Sequence, residues 1–219
     1  PDVVITTDEA GTIAVGGTTG CGLSSTSTMA SGANTVTLTT NGDKAYTCTI
    51  TFTDALGTAA TALTLTAFTL DTTVATPSET TAVTTPNKDT TPDVVITTAE
   101  AGTIAVGGTT GCGLSSTATM ASGANTVTLT TSGDKAYTCT ITFTDTAGNA
   151  AGALTLTAFT LDTTVATPSE TTAVTTPGTD TTPDVVITTA EAGTIAVTGT
   201  NCGLSSTATM ASGANTVTL

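Results

Sequence analysis

Residues 133–144 read Gly-Asp-Lys-Ala-Tyr-Thr-Cys-Thr-Ile-Thr-Phe-Thr, and this stretch decides the fold class. From Tyr137 onward every second residue is apolar, through Cys139, Ile141 and Phe143, and the residues between them are threonines. A period of two places one face of a β-strand in a core and the other face in water. We therefore predict a central strand here, with Tyr137, Ile141 and Phe143 in the core of a small β-sandwich.

The chain repeats itself at a fixed interval. Its first seven residues, Pro-Asp-Val-Val-Ile-Thr-Thr, return at Pro92 and again at Pro183, so the period is 91 residues. Such a unit is too long for one coil of a solenoid and suits an immunoglobulin-sized module. We predict an incomplete module at 1–73 without its first strand, a complete module at 74–164, and an incomplete module at 165–219 without its last two strands. We expect this window to be cut from a longer array.

Strand and turn signals alternate along the complete module at the spacing of a sandwich, and no segment shows helical periodicity. Residues 71–91 are rich in threonine and proline, and for them we predict a first strand at 79–83 within an otherwise extended linker that proline keeps stiff. The last strand is predicted at 154–161, with a bulge near Ala158 because the alternation shifts there. The predicted architecture is all-β: tandem immunoglobulin-like β-sandwiches of about seven strands per repeat, arranged as beads on a string.

The five cysteines follow the repeat. Cys21 and Cys48 are 27 residues apart, as are Cys112 and Cys139, whereas the partner of Cys202 would fall outside the chain. One pair per module predicts an intramodule disulfide in an oxidising, extracellular setting, and such a bond contributes roughly 3–4 kcal/mol in the chain-entropy model. Two buried thiols per module are the alternative. Zinc is disfavoured because each unit offers two cysteines and no histidine.

The charge balance argues against several classes of partner. The net charge is −14, from 17 acidic residues against three lysines, with no histidine. Nucleic acids and anionic membrane surfaces are bound by clustered Lys and Arg, so we expect neither as a partner. No run approaches the ~18 apolar residues of a membrane span, so no membrane insertion is expected in this segment. A serine or cysteine nucleophile would lack its usual histidine base, so we predict no enzyme and no cofactor other than calcium.

Aspartates in turns and at module joints are the candidate ligands for that calcium ion. Carboxylates gathered at a joint could bind a hard cation and stiffen the joint. Aspartate also favours turns for purely local reasons, and no stretch has the dense spacing of a calcium-binding loop, so both explanations stay open. The candidates are Asp54, Asp71, Asp89, Asp93, Asp145, Asp162, Asp180 and Asp184.

Three motifs carry a resemblance to a known family. Asp89-Thr-Thr-Pro-Asp opens the second strand, Tyr137-Thr-Cys-Thr-Ile-Thr-Phe-Thr-Asp-Thr-Ala-Gly-Asn149 runs from a strand into a hairpin, and Phe159-Thr-Leu-Asp-Thr-Thr164 closes the module. Together they resemble the bacterial immunoglobulin-like (Big-type) tandem repeat of large surface proteins and adhesins. The first copy departs from the hairpin motif, with Asp54-Ala-Leu-Gly-Thr58. Tyr137 occupies the position of a tyrosine corner, with a plain aromatic core residue as the alternative.

The repeats and the resemblance together imply a structural role. We expect a segment of an extracellular, cell-surface repeat protein that forms a stalk, surface fibre, filament or adhesin shaft. Its partners would be the neighbouring repeats of the same chain, with self-association into filaments as an extension. Two alternatives are a ligand-binding adhesin module that recognises a glycan or protein through its loops, and a spacer within a secreted enzyme.

Overall fold

The computed structural model describes residues 1–24, 27–115, 118–205 and 209–219, and the regular structure in these ranges is all β, in antiparallel sheets. The first module contains β1 (Asp2–Thr7), β2 (Gly11–Gly17), β3 (Gly22–Leu23), β4 (Thr28–Met29), β5 (Gly32–Thr39), β6 (Lys44–Tyr46), β7 (Cys48–Asp54), β8 (Leu63–Thr64) and β9 (Phe68–Leu70). The middle module contains β10 (Ser78–Thr81), β11 (Asp93–Thr98), β12 (Gly102–Gly108), β13 (Gly113–Leu114), β14 (Thr119–Met120), β15 (Gly123–Thr130), β16 (Lys135–Tyr137), β17 (Cys139–Asp145), β18 (Leu154–Thr155) and β19 (Phe159–Leu161). The third contains β20 (Ser169–Thr172), β21 (Asp184–Thr189), β22 (Gly193–Thr194), β23 (Thr209–Met210) and β24 (Gly213–Thr218).

The middle module is a two-sheet sandwich. One sheet has the order β10-β11-β15-β13 and the other has the order β14-β12-β17-β18, and β16 pairs separately with β19. With β10, β11, β15 and β13 as strands A, B, E and D, and β12, β17 and β18 as C, F and G, this is the strand order of an immunoglobulin constant-type domain. The short strand β14 is an addition to that order and pairs with β12 at the edge of the second sheet. The chain is therefore a tandem array of β-sandwiches, as the alternation of apolar residues and threonine predicts.

Each module has its own cluster of buried side chains. In the middle module the predicted core residues Tyr137, Ile141 and Phe143 are fully buried together with side chains from the facing sheet, and the Tyr137 ring stacks on Phe159 with 5.4 Å between centroids. The smallest cluster, in the third module, consists of Val185, Met210 and Val217. The module boundaries predicted from the sequence stay predictions.

The prediction of one continuous central strand is wrong, because the chain is divided at Thr138. β16 pairs with β19, whereas β17 pairs with β12. The Thr109 hydroxyl accepts the Thr138 N–H at 2.9 Å and so replaces a ladder hydrogen bond. Gly108, with φ of +103°, lets the end of β12 approach the Thr138 carbonyl oxygen more closely than any residue with a Cβ atom could.

Within residues 71–91 the first strand predicted at 79–83 is present as β10 (Ser78–Thr81), but the prediction that the remainder is a proline-stiffened linker is wrong for most of its length. β10 pairs with β11, and Val83 is buried in the core. The segment then crosses to the second sheet, where the Asn87 N–H donates to the Thr160 carbonyl at 2.9 Å. The contact with the second sheet joins residues more than 70 positions apart, so the local composition of the segment does not reveal it.

The last predicted strand, 154–161, is interrupted rather than bulged at a single point. β18 ends at Thr155 and β19 begins at Phe159, with Leu156 between them donating its N–H to the Cys139 carbonyl at 2.9 Å. Leu156 and Phe159 are both buried although they are an odd number of positions apart. The shift of alternation in the sequence marks this interruption.

One disulfide bond stabilises each of the first two modules. Disulfides join Cys112 to Cys139 and Cys21 to Cys48, with Cα–Cα distances of 5.8 and 5.9 Å. In the middle module the bond links the residue before β13, which belongs to one sheet, to the first residue of β17 in the other. This position differs from that of the disulfide between strands B and F of antibody domains. Cys202 is an exposed free thiol.

The Tyr137 hydroxyl forms a tyrosine corner. It donates to the Gly133 carbonyl at 3.0 Å and accepts the Ser132 N–H at 2.7 Å. A buried tyrosine whose hydroxyl returns to the backbone a few residues upstream defines this motif in immunoglobulin-like domains. The hydroxyl therefore has a role that a plain aromatic core residue would lack.

Candidate functional site

The joint between the first and middle modules, residues 71–73, contacts both of them. On one side Asp43, in the loop before β6, accepts the Thr72 hydroxyl at 2.8 Å and the Thr73 hydroxyl at 3.0 Å. On the other side the Asn149 side-chain amide donates to the Asp71 carbonyl at 3.1 Å. Val74, the next residue, packs against the core of the middle module. The joint is thus hydrogen-bonded at both ends.

Three carboxylates converge at this joint. One oxygen each of Asp71, Glu100 and Asp145 lies within 4.8 Å of the others. Asp71 follows β9, Glu100 lies in the turn between β11 and β12, and Asp145 ends β17. The cluster therefore combines a residue at the end of one module with two residues from the edge of the next.

Asp145 is the most buried of the three, with 6% of its surface exposed. Its Oδ1 accepts the Asn149 N–H and its Oδ2 accepts the Asn149 side-chain amide, both at 2.8 Å. Burial raises the pKa of the Asp145 carboxyl, but the Asn149 side chain and the backbone N–H groups of the hairpin outweigh that effect and hold the pKa below its ordinary value. Asp145 is therefore negatively charged at neutral pH.

Glu100 is the member of the cluster that lacks a partner. Its Oε2 atom is buried and has no hydrogen-bond partner within the part of the chain that the structure describes. Buried carboxylate oxygens are ordinarily hydrogen-bonded, and carboxylates this close repel each other. A hard divalent cation would give the oxygen a partner and neutralise the repulsion. Three carboxylates supply part of the six to eight oxygen ligands that Ca²⁺ takes, so water would have to complete the shell.

The structure brings together only two of the eight aspartates predicted as calcium ligands, Asp71 and Asp145, within the described ranges. The third carboxylate, Glu100, is not among the predicted ligands, which are all aspartates. The available signal was its periodicity, since Glu9, Glu100 and Glu191 recur at intervals of 91 residues. Asp162 and Glu191 repeat the positions of Asp71 and Glu100 at the next joint.

The other six predicted aspartates make hydrogen bonds either within a turn, as is typical of aspartate, or across a pair of strands. Asp89 and Asp180 accept the N–H two residues ahead, and Asp54 accepts two N–H groups of its hairpin. Asp93 and Asp184 accept threonine hydroxyls from the neighbouring strand. Asp162 accepts the Thr164 N–H at 3.4 Å. Turn chemistry therefore accounts for the contacts of Asp54, Asp89, Asp162 and Asp180, whereas those of Asp93 and Asp184 connect neighbouring strands.

Sequence reasoning also missed Asp43 and its copy Asp134. Asp134 accepts the Thr163 hydroxyl at 2.7 Å, the Thr164 hydroxyl at 2.8 Å and the Thr163 N–H at 3.0 Å. These hydrogen bonds lower the pKa of the Asp134 carboxyl, the Thr163 hydroxyl most strongly. Each aspartate therefore fastens the chain as it leaves the last strand of its module, and this contact recurs with the repeat.

Comparisons with known proteins give no family assignment. A scan against protein-family models finds no matching model, and a search of curated proteins finds no match. The described residues contain no helix long and apolar enough to cross a membrane. The two disulfides indicate an oxidising, secreted or extracellular environment. An all-β chain of disulfide-bonded sandwiches is compatible with an extracellular structural module.

Proposed function

We propose that this chain is part of a bacterial immunoglobulin-like repeat array at the cell surface, where it forms a stalk, surface fibre or adhesin shaft and catalyses no reaction. The observation that carries the proposal is the joint at 71–73, which is short and hydrogen-bonded to both modules. A joint of this kind limits the directions in which one module can turn relative to the next. An array of such joints holds its two ends apart.

The disulfide adds a limit to extension. Residues 112 and 139 are covalently joined, so the 27-residue stretch between them cannot lengthen under tension even if the module unfolds. The same applies between Cys21 and Cys48 in the first module. A spacer that carries load gains from this arrangement, because a partly unfolded module stays short.

Calcium belongs to the proposal as a means of stiffening the joint. A cation bound by Asp71, Glu100 and Asp145 would connect the end of the first module to the edge of the middle module. The support is the convergence of the three carboxylates and the unpartnered Glu100 oxygen. Ca²⁺ sites of extracellular modules work at roughly 10⁻⁴–10⁻³ M, a range in which a partly hydrated site can function.

Calcium binding can be tested by hydrogen exchange on the whole chain with added Ca²⁺ and with chelator. We expect Ca²⁺ to slow exchange at the joint and at the hairpin 145–149. Glu100→Gln should abolish this effect, whereas the matched control Glu9→Gln, at the same position of the first module, should leave it intact. If Ca²⁺ and chelator give the same exchange rates in the unmodified chain, calcium is no part of the function.

The spacer itself is tested by residual dipolar couplings of the first two modules. A joint that is fixed at both ends makes both modules report one common alignment tensor. Asn149→Ala removes the contact to Asp71 and should give each module its own tensor. Independent tensors in the unmodified chain, both with added Ca²⁺ and with chelator, would reject the stiff spacer.

The alternative of a glycan-binding module finds no support among the aromatic residues of the middle module. Tyr137, Phe143 and Phe159 are all buried, so none is placed to stack on a sugar ring. The spacer of a secreted enzyme stays a prediction that depends on residues outside this chain.

A further inference from the structure

One loop of the first module carries a pair of residues that the middle module lacks. Asn41 and Gly42 lie between β5 and β6, and Asn41 is the only one of the chain's seven asparagines that is followed by glycine. The middle module has Ser132 and Gly133 at this position, while residues 36–48 and 127–139 are otherwise identical. The two modules therefore offer a comparison in which one side chain differs.

The loop presents both residues to water. Asn41 and Gly42 are exposed, and within the described ranges neither the Asn41 side-chain amide nor the Gly42 N–H hydrogen-bonds to another group of the protein. By contrast, the Asn34 side-chain amide donates to two carbonyl groups, at 2.8 and 2.9 Å. Glycine has no Cβ atom to shield its nitrogen, so the Asn41 side chain can approach that nitrogen.

This exposure is a property of the loop itself. In the middle module the segment that precedes the sandwich lies beside the same loop, since the Thr131 N–H donates to the Thr90 carbonyl at 3.0 Å. Ser132 and Gly133 are exposed all the same. The surroundings of a complete module therefore leave the glycine nitrogen accessible.

Lys44 brings a positive charge to the Asn41 side chain. A Cβ atom placed on Gly20 would stand 3.1 Å from the Cβ of Asn41 and 3.4 Å from the Nζ of Lys44, so both groups border the same small space. The Lys44 Nζ also lies 5.2 Å from the centre of the Tyr46 ring, a contact that favours this position of the ammonium group. A cation here stabilises negative charge that develops on the amide oxygen of Asn41.

We propose that Asn41 and Gly42 form a site of spontaneous backbone modification, in which the Gly42 nitrogen attacks Cγ of Asn41. A bond forms between these two atoms, the proton of the Gly42 N–H passes through water to the side-chain nitrogen, and that nitrogen leaves as ammonia. Lys44 stabilises the oxyanion while the new bond forms and keeps its own proton. Water then opens the cyclic imide. Addition of water at Cγ gives aspartate, whereas addition at the main-chain carbonyl carbon gives isoaspartate, whose backbone runs through Cβ and Cγ.

Isoaspartate at this position disrupts the tyrosine corner of the first module. The Tyr46 hydroxyl accepts the Asn41 N–H at 2.7 Å and donates to the Gly42 carbonyl at 2.9 Å. The modified backbone has one more carbon between these two groups, so the hydroxyl loses at least one of its contacts. The modification therefore weakens the first module and leaves the middle module unchanged. This inference goes beyond the role of a spacer and does not depend on it.

The test incubates the 219-residue chain at neutral and at alkaline pH and follows each asparagine by peptide mapping with mass spectrometry. We expect Asn41 to convert to aspartate and isoaspartate before the other asparagines do. The rate should rise with pH, because the attacking nitrogen must lose its proton. Asn41→Ser, which installs the residue of the middle module, should remove the reaction. Ser132→Asn should create it in the middle module, where Lys135 lies beside the loop in the same way.

Replacement of Lys44 tests the part that the ammonium group plays. Lys44→Met should slow the conversion about fivefold, the size expected for one charge acting through water at short range. Lys88→Met is the matched control, since Lys88 is an exposed lysine outside the first module and its loss should leave the rate unchanged.

Hydrogen exchange of the aged chain tests the effect on the fold. Amides of β7 should exchange about fivefold faster than in fresh protein, as the loss of one hydrogen bond predicts, and amides of β17 should not change. Asn41→Asp adds the charge without the extra carbon and should leave β7 as in fresh protein.

Three results would overturn the proposal: an Asn41 amide that persists while other asparagines convert, a rate in Lys44→Met equal to that of the unmodified chain, and β7 exchange as fast in Asn41→Asp as in the aged chain. All three are peptide masses or exchange rates of the first module without Ca²⁺. They are separate from the dipolar couplings and the calcium response that test the proposed function.

Discussion

Replacement of Tyr137 by phenylalanine tests the tyrosine corner in the middle module. The hydroxyl donates to the Gly133 carbonyl and accepts the Ser132 N–H, and phenylalanine removes both hydrogen bonds while keeping the ring in the core. Each hydrogen bond contributes about 1 kcal/mol net. Ser132 and Gly133 are exposed residues, so water can reach their freed backbone groups and no further penalty for a buried unpaired group is added. We expect the free energy of unfolding of the middle module to fall by about 2 kcal/mol.

Hydrogen exchange followed by mass spectrometry measures this loss module by module. Amides of β17 that exchange only through global opening of the middle module should exchange roughly 30-fold faster in Tyr137→Phe, since 1.4 kcal/mol corresponds to a factor of ten. Peptides from β7 in the first module should not change. Tyr46→Phe is the matched control, because Tyr46 makes the same two contacts with Asn41 and Gly42 and should reverse the pattern.

Two results would refute this reasoning. Unchanged exchange of β17 in Tyr137→Phe would mean that the hydroxyl contributes nothing and that Tyr137 acts as a plain aromatic core residue. Equal acceleration in both modules would mean that the modules do not unfold independently, contrary to their separate hydrophobic clusters.

Gly102→Ala should destabilise the middle module by about 1–3 kcal/mol, because a Cβ there would collide with the backbone of β17. Gly152→Ala in the same module is the control, because a Cβ there meets nothing within 4 Å, and it should be neutral by the same exchange measurement. The Asp134 carboxylate accepts hydrogen bonds from Thr163 and Thr164, and its pKa lies below the ordinary value of 3.8. Its contribution to the free energy of unfolding is therefore fully present above pH 3.8 and is lost as the pH falls through the lower pKa of the folded state. In NMR spectra the chemical shift of the Thr163 amide, which donates to Asp134, should follow this titration, and Asp134→Asn should abolish the pH dependence. A pH-dependent shift that persists in the variant would assign the titration to another group.

Alternation between threonine and apolar residues is enough to predict an all-β fold and the burial of Tyr137, Ile141 and Phe143, because a period of two is a property of the strand itself. It does not predict which strand pairs with which. The division at Thr138 depends on the Thr109 side chain and on Gly108, about 30 positions earlier, so a local pattern cannot contain it. The same limit applies to residues 71–91, because their contact with Thr160 in the second sheet leaves no trace in the local composition.

The candidate site was only partly predictable for a related reason. Of the eight aspartates predicted as ligands, Asp71 and Asp145 belong to the carboxylate cluster. The other six make hydrogen bonds within turns or across strands. The carboxylates that converge come from three separate elements, and Glu100 reaches the joint only because the turn after β11 faces the end of β9 in space. Periodicity at 91 residues would have kept Glu100 among the candidates.

Stretching single chains by their ends, before and after reduction of the disulfides, tests the central claim that load passes through separate, covalently closed sandwiches. We predict discrete unfolding events, and for the middle module a contour length that grows by about 90 Å on reduction, since 27 residues at roughly 3.3–3.6 Å each are released from the Cys112–Cys139 loop. The Cys112→Ser/Cys139→Ser double variant should show the longer step without reductant. A smooth extension without discrete events, or steps of equal length in oxidised and reduced chains, would contradict the account.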